Sequence, residues 1–185
     1  MYRSEEELKQ FRQTELFTVG EGDHAEFYRM PLQGIGVLSK ISAHKHLSLV
    51  VRSKDDPDKI MSMGFYPDGG DIIGATFSPK AGYLWSPDPH YIPTVKGFKR
   101  AHYHKSEQII GYTITNDQAD LINGLLNGSE CRLKDGSTSR GTVKRDRIEC
   151  PVTEYRYSPV PWKGCRNCIT WLNTIFPGLI KDIDG

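Results

Sequence analysis

Hydrophobic and polar positions alternate most clearly between residues 34 and 66. GIGVLSKIS at 34–42 and the run from His46 to Val51, HLSLVV, both carry the two-residue period of a half-buried strand. SKDDPD at 53–58 is turn chemistry, and KIMSMGFY at 59–66 returns as an antiparallel partner, which makes a hairpin. Before this block, Ser4-x-x-Glu7 is a capping-box pattern that predicts a short amphipathic helix over 4–16.

Beyond the hairpin the period is lost. Residues 78–106 mix prolines, aromatics and basic side chains, and predict a long surface loop or insertion. A short strand at 111–115 leads into a second capping box, Thr115-x-x-Gln118. Ala119, Leu121, Ile122, Leu125 and Leu126 then follow at helical spacing until Gly128. Residues 127–147 are polar and glycine-bearing, a loop or an exposed hairpin, and EYRYS at 154–158 is the last strand candidate. Near the end, Asn167 is a favoured helix N-cap. The apolar positions Ile169, Leu172, Ile175 and Phe176 recur at near-helical intervals until Pro177-Gly178 stops the run.

Composition narrows the class. A chain of 185 residues with 37% hydrophobic and 25% charged side chains can bury one core, so we expect a single domain, 1–185, of α+β class. In that expectation a small, mostly antiparallel sheet packs against the C-terminal helix and one further helix. No apolar run reaches the ~18 residues that span a bilayer, and the net charge of +1 offers no general attraction for nucleic acid or an anionic membrane. The opening MYRSEEELKQFRQ lacks the pattern of a secretory signal, which predicts synthesis into the cytoplasm. The four cysteines, at 131, 150, 165 and 168, are unevenly spaced, and reduced thiols are the default reading, with a bridge between Cys131 and Cys150 left open.

Cys168 falls in the first turn of the final helix, where the positive end of the helix dipole favours an anionic nucleophile. Its partner must accept a proton near neutral pH. His46, at the start of a rigid strand, is the foremost candidate, with His44 of the same strand parity in reserve. Folding the hairpin about residues 55 and 56 sets His46 opposite 65–67, so Asp68 is the nearest carboxylate able to orient an imidazole, and Asp71 the alternative. The backbone N–H of Cys168 can stabilise an oxyanion.

The order of these pieces, HLSLVV, then a strand ending MGFY, then NCITWL on a late helix, resembles circularly permuted papain-like thiol hydrolases. That clan includes the PPPDE peptidases and relatives of lecithin retinol acyltransferase, and shares its core with NlpC-type cell-wall peptidases. The resemblance covers about a fifth of the chain. It implies a papain-like permuted core and a thioester mechanism on an amide or isopeptide bond, in a protein or a peptidoglycan peptide, with no cofactor and no metal. Lipid or protein acyl transfer on the same fold is the alternative. It also suits a bacterial effector or toxin exported without a signal peptide and checked by an immunity protein, with no nucleic-acid partner and no stable membrane association.

Three rival readings compete. Cys165-x-x-Cys168 can be a redox pair, or half of a zinc site completed by His102-x-His104 or His44-x-His46. Tyr83, Trp85, Tyr91, Phe98 and Tyr103 can form the surface of a non-enzymatic interaction module.

Overall fold

The computed structural model describes residues 17–30, 46–88, 107–127, 131–133, 138–139, 148–160 and 163–184. The predicted helix over 4–16, the whole strand candidate at 34–42 and residues 89–106 lie outside them.

The architecture is α+β, a curled and mostly antiparallel sheet with a few short helices. Nine strands are described: β1 (His24–Met30), β2 (His46–Arg52), β3 (Ile60–Pro67), β4 (Lys80–Ser86), β5 (Glu107–Thr113), β6 (Cys131–Leu133), β7 (Thr138–Ser139), β8 (Ile148–Tyr157) and β9 (Cys165–Arg166). They run in the order β5-β1-β2-β3-β4-β8-β6-β7, with β9 beside β8 as the one parallel pair among the described residues. Four helices accompany them: α1 (Ile72–Phe77), α2 (Asn116–Asn127), α3 (Cys168–Ile175) and α4 (Leu179–Asp184).

The hairpin of β2 and β3 forms as its alternation predicts, with Leu49 opposite Met63 and Val51 opposite Met61. β3 then changes partner. Residues 60–63 pair with β2, whereas 64–67 pair with β4, Gly64 opposite Trp85 and Tyr66 opposite Tyr83. The sheet therefore bends around β3, and side chains from β2, β3 and the end of β4 converge at the bend.

The expected loop over 78–106 is corrected in its first part. Residues 80–86 are a central strand, paired on one edge with β3 and on the other with β8. Pro79 and Pro87 obscure it in the sequence, but both lie just outside its ends, where a missing N–H does not interrupt a ladder. The polar stretch 127–147 contains the β6–β7 hairpin, and the last strand candidate is longer than EYRYS, reaching back to Ile148.

α2 begins at the reciprocal box its sequence predicts. The Thr115 N–H donates to Gln118 Oε1 at 3.0 Å, and the Gln118 N–H to Thr115 Oγ1 at 3.4 Å. α3 packs on β2 and β3 through Trp171, Leu172 and Ile175, all buried, with Trp171 stacked on Phe65 at 5.4 Å. Burial of each such side chain stabilises the helix by roughly 1.5–3 kcal/mol. α3 ends where Gly178 takes a left-handed φ of 96°, and Leu179 beyond it returns to the core.

Candidate functional site

The nucleophile candidate is set by local chain chemistry. β9 runs parallel to the end of β8, with the Ser158 N–H donating to the Arg166 carbonyl at 3.0 Å, and this pairing delivers Asn167 to the head of α3. Asn167 is the N-cap. Its Oδ1 accepts from the Thr170 N–H at 2.8 Å, while its own N–H donates to Thr170 Oγ1 at 2.8 Å. The box takes up the N–H groups of Asn167 and Thr170 and not that of Cys168, which starts the helix next to them.

Cys168 is buried but not among aliphatic groups alone. Its thiol lies close enough to His46 for the two to interact electrostatically, across 122 positions of sequence. His46 opens β2, is only 5% exposed, and points away from the core residues Leu47 and Leu49 that flank its strand parity. On its other side, Nε2 lies 2.8 Å from Asp88 Oδ2.

Asp88, just past β4, is fully buried. Ser48 Oγ donates to Oδ2 at 2.6 Å and Tyr66 Oη to Oδ1 at 2.7 Å. A carboxylate can only accept, so Nε2 carries the proton facing Asp88, and Nδ1 is the nitrogen left for Cys168. The Tyr66 hydroxyl also lies 2.7 Å from Nε2, and its ring stacks on Trp85 at 4.2 Å. Behind Asp88, its backbone N–H donates to Ser62 Oγ at 3.1 Å. Three donors and a backbone anchor thus hold the carboxylate in one place.

The electrostatics follow from burial and charge. Burial alone depresses the basicity of His46, but the facing Asp88 and Cys168 outweigh it and push the imidazole up to about 10. His46 therefore holds both ring protons at neutral pH. Tyr66 is driven well above the ordinary tyrosine range by burial and by Asp88. Tyr157, at the end of β8, is also raised, by burial and by the neighbouring Cys168. Its hydroxyl makes no hydrogen bond among the described residues.

The sequence points to Cys168 and His46, and the structure brings them together. It also points to Asp68, and there the structure differs. Asp68 opens a short 3-10 turn after β3 and is exposed, and Asp71 caps α1, its Oδ1 accepting from the Gly74 N–H at 2.8 Å. The hairpin register behind that expectation does hold, but the residue it brings to the imidazole is Tyr66. The carboxylate comes instead from a third strand. In sequence, Asp88 sits in Ser-Pro-Asp-Pro, which reads as turn chemistry. The signal that points to it is structural, the short strand between Pro79 and Pro87. His44, His102 and His104 lie outside the described residues.

The default of four reduced thiols is corrected too. Cys150 is disulfide-bonded, while Cys165 and Cys168 are free. β6, which opens at Cys131, runs antiparallel to β8 with Arg132 opposite Glu149, so the position the sequence left open for a bridge is alongside. The redox pair has poor geometry. Cys165 and Arg166 are in a strand and Asn167 is extended at φ −103°, ψ −177°. Three extended steps separate Cα atoms by roughly 10 Å, beyond the ~7 Å that a disulfide bridges. Among the described residues no group of three or more His, Cys, Asp or Glu side chains is placed to hold a metal ion, and no helix is long and apolar enough to cross a membrane. Of the aromatic residues proposed for an interaction surface, Trp85 is buried against Tyr66, and Tyr83 is half-buried in β4.

Comparison with family models, with curated proteins and with solved structures finds no match for this chain.

Proposed function

We propose that this chain is a cysteine hydrolase with Cys168 as nucleophile, His46 as its acid–base partner and Asp88 as the residue that orients the imidazole. The observation that carries this reading is the contact of Cys168 with one side of His46 while a buried carboxylate holds the other. A purely structural histidine does not need both.

In the reaction, His46 already holds both ring protons, and the sulfur of Cys168 attacks a substrate carbonyl as the anion paired with that imidazolium. The oxyanion is met by the backbone N–H of Cys168 at the head of α3 and by the hydroxyl of Tyr157. His46 then donates its proton to the leaving amine, the C–N bond breaks, and a thioester remains. Water, activated by the now neutral His46, attacks the thioester, the C–S bond breaks to release the acid, and the sulfur returns as the anion paired with the reprotonated imidazole. Asp88 keeps Nδ1 aimed at the sulfur and balances the imidazolium charge. The order of histidine strand and cysteine helix fits a permuted papain-like core acting on an amide or isopeptide bond in a protein or peptidoglycan peptide. The disulfide at Cys150 suits work outside a reducing cytosol, as an exported effector would require.

The test is to treat the intact protein with iodoacetamide and map the modified cysteines by mass spectrometry. Selective alkylation at Cys168 that persists in Cys165→Ser and weakens at least tenfold in His46→Ala is expected. Equal labelling of Cys165 and Cys168, indifferent to His46→Ala, would end the proposal.

A further inference from the structure

Arg166 stands two positions before the nucleophile, on the strand that feeds it into α3. Its guanidinium carbon lies 4.7 Å above the ring centroid of Tyr155, and Nη1 donates to the Cys165 carbonyl at 3.0 Å. These two contacts fix the side chain, which is half-buried. Among the described residues no carboxylate pairs with it. That is unusual for a held cation, because a guanidinium so oriented has already lost the rotational freedom that normally opposes ion pairing, and most of its fork of N–H donors is still to be used.

Its surroundings connect it to the site. Tyr155 and Tyr157 share strand parity on β8, one step of roughly 7 Å apart, and Tyr157 borders Cys168 while Tyr155 carries Arg166. The guanidinium and the sulfur are thus held by adjacent tyrosines of one strand face. Arg156, between them, points the other way, to the Pro79 carbonyl.

From this juxtaposition we propose that Arg166 is a specificity residue, and that the substrate is an acyl compound with a carboxylate about one residue from the scissile carbonyl, bound by the Arg166 fork over Tyr155. A planar carboxylate matches the fork with two parallel hydrogen bonds, which a single-point cation does not offer. The inference rests on Cys168 being the nucleophile. It adds that the site selects for negative charge next to the bond it breaks.

Two alkylating reagents of nearly equal size separate the claims. Iodoacetate carries the carboxylate and iodoacetamide does not, and they transfer a carboxymethyl and a carbamoylmethyl group respectively to the sulfur with loss of iodide. The rate ratio of iodoacetate to iodoacetamide at Cys168, read by mass spectrometry in low salt, cancels changes in the thiol itself. In Arg166→Gln this ratio is expected to fall about three- to fivefold, the size of a single charge effect near a protein surface, and in Arg166→Lys to fall by less, because the charge is kept and only the fork is lost. A ratio unchanged in Arg166→Gln, or lost equally in both variants, would overturn the assignment while leaving the nucleophile in place. Failure of iodoacetamide to label Cys168 in the unaltered protein would instead remove the hydrolase reading, and this inference with it.

Discussion

Gly64 lies against the carboxylate of Asp88 with no room for another atom. A β-carbon built on Gly64 would overlap Asp88 Oδ2, approach its Cγ to 3.0 Å and reach within 2.8 Å of the Tyr66 ring. Real β-carbons essentially never come this close. The absence of a side chain at one position of β3 is thus what lets an acidic residue from beyond β4 reach across the sheet to His46.

Gly64→Ala is therefore expected to displace Asp88 without altering any reacting group. Overpacking of this kind costs typically 1–3 kcal/mol. The alkylation rate of Cys168 should drop by about tenfold in a protein that still folds by circular dichroism. An unchanged rate would mean that the position of Asp88 does not matter to the thiol.

Asp88 itself separates charge from filling. Asp88→Asn keeps the volume but loses the countercharge to His46, and a fall in Cys168 reactivity on the order of 10–100-fold is expected. Asp88→Ala leaves Ser48, Tyr66 and His46 without their shared acceptor in a buried place. Losing one partner of such a buried set costs about 3–5 kcal/mol. Denaturant titration of the two variants should rank Ala well below Asn in stability.

The charge on His46 links folding to pH. Its protonation is favoured in the fold, at about 10, over the ~6.5 of an unfolded chain. The stabilisation is complete below pH 6.5, shrinks as pH rises, and is gone above about pH 10, a loss on the order of a few kcal/mol. Urea midpoints measured from pH 6 to 10.5 should show this decline, and His46→Gln should flatten it. A midpoint that rises over that range in the unaltered protein would contradict the ion pair.

Asn167→Ala removes the side chain that accepts from the Thr170 N–H. Loss of an N-cap costs typically ~1 kcal/mol. Because the same turn presents Cys168, hydrogen exchange in the first turn of α3 should quicken together with a loss of labelling selectivity. Thr170→Ala, on the other side of the box, should give a smaller effect in the same direction.

Much of this molecule can be read from its residues, and the part that cannot has a physical cause. Local signals carry the β2–β3 hairpin, the Thr115–Gln118 capping box, the Asn167 N-cap and the stop at Pro177-Gly178, because each depends on neighbours within a few positions. Cys168 and His46 stood out for the same reason, one at a helix head and the other at a strand start. Asp88 did not, since its role depends on β3 exchanging one partner strand for another at Gly64, a non-local event with no periodic trace. β4 itself was hidden because its flanking prolines resemble a loop when read one after another. Tyr66 is within reach of the hairpin register, and what it brings to the imidazole is a hydroxyl and not a carboxylate.

The bond at Cys150 gives the chain two sulfur chemistries with opposite needs. β8 holds an oxidised sulfur, while the adjoining helix needs a reduced one for the reaction proposed here. A strong reductant threatens the cross-link, and an oxidant converts the nucleophile to sulfenic acid and beyond. Turnover plotted against redox potential should then be a band with two edges, its negative limit set by the strand and its positive limit by the helix.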